Sequence, residues 1–140
     1  MTYLPDPATI TVKTVDGNHV IIDHGDGFYS FYAHLQPGSV KVEVGDQVQA
    51  GDQLGLLGNT GNTSAPHLHF HVMSGPSALG SDGVPYVLDS FELAEGATEA
   101  ELDAALADGK ERVPGRAELD PVGRKDELPL DNAIVNFPGE

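Results

Sequence analysis

Two five-residue stretches, Val44-Gly45-Asp46-Gln47-Val48 and Ala50-Gly51-Asp52-Gln53-Leu54, repeat one pattern six residues apart. Each Gly-Asp pair signals a tight turn, because glycine reaches backbone conformations closed to other residues and aspartate bonds back to its own main chain. A chain that turns this often has no length for a helix. Residues 39–61 therefore predict a compact β-structure of short strands that reverse every few residues. The flanking text agrees. Thr9 to Val15 is rich in β-branched residues and predicts a strand, followed by a turn at Asp16-Gly17-Asn18 and a second strand from His19 to Asp23, together a hairpin. Gly25-Asp26-Gly27 turns the chain into a strand over 28–35, Pro37-Gly38 punctuates again, and Leu68 to Met73 after Pro66 predicts a further strand.

Beyond residue 75 the text changes. Gly75 to Pro85 reads as a loop, and Tyr86 to Leu93 as a final strand. Thr98 followed by Glu101 is a capping-box signature; Leu102, Ala105 and Leu106 share one helical face, and Gly109 stands where a terminating glycine belongs. A short helix is predicted over 98–108. Residues 110–126, polar and interrupted by proline, read as a loose linker, and 128–137 as an apolar segment that docks back on the domain. The fold class is mostly β: a twisted antiparallel sheet with short-strand hairpins and one short helix. The division is a β-domain over 1–93 and a C-terminal extension over 94–140.

Charge and composition exclude several functions. The net charge is −15, and Lys13 and Lys41 are the cationic side chains before residue 110. A phosphate-backbone binder needs a basic face, so nucleic acid and anionic membrane surfaces are not expected partners. No apolar run is long enough to insert in a membrane, and the first residues lack a signal peptide's basic and apolar regions. Without cysteine, neither disulfides nor thiolate metal sites are available. Oligomeric state is not legible.

Six histidines, at 19, 24, 34, 67, 69 and 71, carry the chemistry. His67, His69 and His71 alternate with Leu68, Phe70 and Val72, so on a strand the three imidazoles project from one face. Same-face neighbours lie roughly 7 Å apart at Cα. One imidazole can then hold a metal while its neighbour reaches a water activated there. Imidazole suits Zn²⁺, and a catalytic zinc site takes about three protein ligands and one open position. The plain alternative is an exposed strand face that carries histidines.

The context narrows this. Gly17-Asn18-His19-Val20-Ile21-Ile22-Asp23-His24-Gly25 is followed by Tyr32-Ala33-His34-Leu35, the Gly-Asp series, Gly58-Asn59-Thr60-Gly61-Asn62 and Ala65-Pro66-His67-Leu68-His69-Phe70. In this order and spacing, residues 17–73 resemble the lysostaphin-type, LytM-like zinc metalloendopeptidases of bacterial cell walls. The resemblance implies a fold like the duplicated hybrid motif and zinc-dependent hydrolysis of peptide bonds in peptidoglycan or a protein peptide, in an extracytoplasmic setting. It implies roles for three residues: His69 as zinc ligand, His67 as general base, and His34 as the group that polarises substrate or stabilises the oxyanion. His19 and His24 match positions without chemistry. Where many relatives carry glutamate this chain has His71, expected to support the ligands or to lie on the surface.

The family's remaining zinc ligands, spaced His-x-x-x-Asp, come earlier than any histidine here, so whether this chain is an enzyme stays open. The chain is a piece of a complete enzyme, or a degenerate relative binding wall peptide or a partner hydrolase, or a protein in which Asp23, Asp26 or His71 substitutes as ligand. A biotinyl- or lipoyl-like carrier domain also uses repeated Gly-Asp turns. It would need a lysine at a hairpin tip, where neither Lys13 nor Lys41 sits, and has no use for Pro-His-Leu-His-Phe.

Overall fold

The computed structural model describes residues 10–107, 122–131 and 133–137. The chain divides into two compact units, Met1–Pro85 and Tyr86–Glu140. The mostly β expectation holds, with two antiparallel three-stranded sheets and one short helix.

The first unit holds β1 (Asn18–Asp23), β2 (Tyr29–Leu35) and β3 (His69–Met73) in the order β1-β2-β3. Asp23 turns the chain out of β1 by accepting from the Gly25 amide at 2.8 Å, and the His24 and Phe28 main chains close the hairpin. Cross-strand partners Ile21, Phe31 and His71 line up across the sheet. Directly opposed residues share a face. That face buries Phe31 (1% exposed), Ala33 and Met73 (0%), with Ile21, Tyr29 and Ala78 packed against them.

Two parts of this unit differ from expectation. Residues 10–17 form turns rather than a strand, with Thr14 N bonded to Thr11 O and Gly17 N to Thr14 O. The reason lies in the two threonines. Thr14 Oγ1 takes the Thr11 amide at 2.9 Å and lies 3.1 Å from the Thr11 hydroxyl, a local alternative to strand pairing that outweighs β-branched propensity. The strands expected between the Gly-Asp turns are also not formed; the segment is extended chain joined by Gln36 N to Leu56 O and Lys41 N to Leu54 O, both 2.9 Å. The repeat itself is structural. Asp46 and Asp52 each accept from the amide three residues back, Glu43 and Gln49, at 2.8 Å. Gly45 and Gly51 stand at φ +100° and +92°. Each turn closes on its own carboxylate and needs no partner strand.

The second unit holds β4 (Leu88–Gly96), α1 (Glu99–Ala107), β5 (Val122–Glu127) and β6 (Ala133–Asn136), its sheet ordered β5-β4-β6. The capping box is present: Glu101 Oε2 accepts from the Thr98 amide and hydroxyl at 2.7 Å, and Ala105 on α1 is buried. The expected linker is corrected at its end, because residues 122–126 belong to β5. Every side chain of β5 is exposed, so it has no apolar alternation to read; main-chain pairing to β4 makes it a strand. Part of the apolar segment, β6, pairs with the other edge of β4. Gly109 and residues 110–121 lie outside the described residues.

Candidate metal centre

β2 carries an irregularity that sets up the site. Tyr32 pairs with Val20 but Leu35 pairs with Asn18, so Ala33 and His34 together face His19 alone. This is a β-bulge, and His34 stands in it at φ +62°, a conformation uncommon for a residue with a side chain. A bulge re-aims the side chain of its extra residue. Two loops hold His34 in place. Its amide donates to Asp16 O at 3.2 Å, and its Nδ1 lies 2.7 Å from Thr60 O. A carbonyl accepts, so Nδ1 carries the proton and Nε2 keeps the lone pair. His34 is only 6% exposed.

Thr60 anchors this arrangement, and nothing in the sequence singled it out beyond its place in Gly58-Asn59-Thr60-Gly61-Asn62. Its hydroxyl donates to Leu35 O at 2.9 Å and accepts from the Asn18 amide at 2.9 Å, joining both sides of the bulge. The Asn62 amide donates to Val15 O at 2.7 Å. The two loops approach so closely that glycine is required. A Cβ on Gly17 (φ +62°) would collide with the Thr60 main chain, and one on Gly61 (φ +81°) with Val15 and Gly17.

His67 sits before β3, in a single antiparallel bridge with Gly58. Its Nδ1 lies 2.8 Å from Ala65 O and 3.1 Å from Thr63 Oγ1, so here too Nδ1–H donates to a carbonyl and Nε2 is free for chemistry. His69 opens β3 and pairs with Ala33. His34, His67 and His69 each offer a ligand atom, and these atoms lie within 4.8 Å of one another. Ring centroids are 4.8 Å apart for His34–His67 and 5.8 Å for His34–His69. Among the described residues this is the group able to hold a metal ion, and it includes none of Asp23, Asp26 or His71.

His71 lies against Phe31, ring centroids 5.0 Å apart, with its Nδ1 at 3.0 Å from His69 Nε2. His19 also packs on Phe31, with Nδ1 at 3.0 Å from Gly17 O, and His24 Nε2 lies 2.7 Å from the buried Ser30 hydroxyl. His69 titrates below its ordinary range, first because the folded chain desolvates it, then because the imidazoles of His71, His34 and His67 repel a further positive charge; Asp16 opposes them. A neutral imidazole is the form that binds metal. By donor chemistry, three imidazoles with free ring nitrogens suit zinc.

The model of Peptidase family M23 matches residues 8–81. The chain belongs to peptidase family M23. The M23 stretch is similar to cell division protein DipM of Caulobacter vibrioides, 43% identical over 61 residues, which is 44% of this chain and 10% of that protein. It is 40% identical over 57 residues to peptidoglycan DD-endopeptidase ShyA of Vibrio cholerae, 41% of this chain and 13% of that one. To lysostaphin of Staphylococcus simulans it is 39% identical over 74 residues, 51% of this chain and 15% of lysostaphin. The chain thus spans a small fraction of the length of these curated relatives. Among the described residues no helix is long and apolar enough to cross a membrane.

Proposed function

We propose that this chain contributes the histidine-bearing face of a zinc-dependent endopeptidase acting on peptide cross-links of bacterial peptidoglycan, outside the cytoplasm. The observation that carries the reading is the convergence of His34, His67 and His69 within 4.8 Å in a chain of family M23. His69 is the metal ligand. Zinc, when bound, supplies Lewis acidity toward the scissile carbonyl and toward water. His67, with Nδ1–H already donating to Ala65 O, offers Nε2 as the general base that takes a proton from the attacking water. His34, with Nδ1–H donating to Thr60 O, faces the developing oxyanion through Nε2 and donates there when its ring is protonated. His71 holds His69 through the 3.0 Å contact. On this reading residues 17–73 carry the peptidase chemistry and the second unit, from Tyr86 onward, is an appended extension.

The test is mass spectrometry of purified cross-linked wall peptides incubated with the zinc-supplemented chain. New amine and carboxyl ends are expected, reduced about 10²-fold or more by His67→Ala, the usual worth of a general base. Saturable binding of the same peptides without cleavage would replace this reading with a non-cutting wall-peptide module. Neither cleavage nor binding would refute both.

A further inference from the structure

We propose that the outer edge of β1 is a docking site for an extended, basic polypeptide strand supplied by another protein. The strand adds to the sheet beside β1 and lies in a groove that none of His34, His67 and His69 lines. The inference goes beyond the peptidase reading and does not rest on it.

The main chain of β1 supplies the first argument. Among the described residues β1 pairs with β2 alone, whereas the far edge of β3 is covered, Val84 N bonding Val72 O at 2.8 Å and Ser74 N bonding Asp82 O at 3.0 Å. Along an antiparallel pair, residues alternate between turning amide and carbonyl toward the partner and turning both away. The bond from His24 N to Phe28 O, at 2.9 Å, sets the phase. Ile22 and Val20 therefore face β2, opposite Ser30 and Tyr32, and Ile21 and Asp23 turn their N–H and C=O outward. Exposed edges are ordinarily guarded by lysine, proline or charge. Val20-Ile21-Ile22 carries none of these, and its β-branched side chains suit a strand paired on both sides.

The second argument is the space beside that edge. A groove of about 730 Å³ runs along residues 19–23, with Val40, Val42 and Val48 on its opposite wall. That volume is in the range of ligand sites, and five residues of strand at roughly 3.4 Å each give an edge of about 17 Å. The charged side chains lining it are Asp23, Glu43 and Asp46, and among the described residues no lysine or arginine lines it.

Charge decides the occupant. With a net charge of −15, a second copy of this chain would bring further carboxylates against these three. A strand that alternates lysine or arginine with apolar residues fits instead. Ile21 and Asp23 project from one face of β1, Val20 and Ile22 from the other, so the added strand sets cations on the side of Asp23 and apolar side chains on the side of Val20 and Ile22. In strand addition the main-chain bonds give affinity and the alternate side chains give selectivity.

The experiment is an NMR titration of the ¹⁵N-labelled chain with a blocked octapeptide alternating valine and lysine, beside the matching valine–glutamate octapeptide. Expected are saturable binding of the lysine peptide alone and amide exchange slowed about tenfold or more at Ile21 and Asp23, with Val20 and Ile22, already bonded to β2, little changed. Glu43→Lys, at an exposed side chain, should weaken binding about threefold or more at low salt while leaving the urea midpoint in place. Absence of binding, equal binding of the glutamate peptide, or protection elsewhere with Ile21 and Asp23 unchanged would overturn the proposal. So would Ile21 and Asp23 amides already protected in the free chain: protection that rises with protein concentration would assign the edge to a second copy, and protection independent of concentration to this chain's own residues.

Discussion

Thr60→Val deletes one hydroxyl at nearly constant volume and severs the link between the two sides of the β2 bulge. Two bonds of 2.9 Å disappear, one from the Asn18 amide and one to the Leu35 carbonyl. The carbonyl keeps a longer 3.4 Å contact with Asn18 Nδ2, so the loss falls mainly on the amide. Leaving one buried donor without its acceptor costs about 1–3 kcal/mol, and these groups are only part-buried, so about 2 kcal/mol is expected. In urea, at roughly 1–3 kcal/mol/M for a small protein, that is a midpoint lowered by about 1 M with unchanged slope. Far-UV circular dichroism would report it. Hydrogen exchange offers a local check, since about 2 kcal/mol corresponds to a roughly 30-fold loss of protection at Asn18. A midpoint moved by less than about 0.2 M, with Asn18 exchanging as before, would refute Thr60 as the anchor of the bulge.

Further outcomes can be checked with the same purified chain. Gly17→Ala places a methyl group against the Thr60 main chain at φ +62° and should destabilise the first unit by more than about 1 kcal/mol in urea, beyond a surface alanine substitution. His69 binds its proton less readily folded than unfolded, so below its ordinary pKa of 6.5 the unfolded chain takes up the extra proton. Melting temperature should therefore fall as pH drops from about 6.5 through the lower folded value, and His69→Gln should flatten that slope. Thr98→Ala removes the hydroxyl that bonds Glu101 and should cost about 1 kcal/mol of stability, read as a lower urea midpoint.

The sequence made some of this architecture legible and hid the rest for physical reasons. Strands β1, β2 and β3 are marked by β-branched and aromatic residues between glycine turns, and the helix by Thr98 and Glu101. Composition misleads at Thr11 and Thr14, where hydroxyls that favour strands by their branching instead bond the local backbone. It is silent at β5, whose exposed polar side chains show no period because pairing with β4 is entirely main-chain. The histidines at 34, 67 and 69 were readable from order and spacing. The bulge at His34 was not, because no glycine marks its positive φ; the strain is carried by contacts with Asp16 and Thr60, which come from distant parts of the chain.

The two self-closing turns of the Gly-Asp repeat also say where the chain tolerates growth. Each is tied by its own aspartate to the amide three residues back, neither supplies a histidine to the cluster, and a side-chain atom added at Gly45 would meet nothing within 4 Å. Val44 beside it stands fully in solvent. An inserted peptide at this tip is accommodated at the modest entropic cost of a longer loop, leaving the sheet register alone. The tip is therefore a place to attach a fluorophore or a wall-targeting peptide without rebuilding the imidazole face.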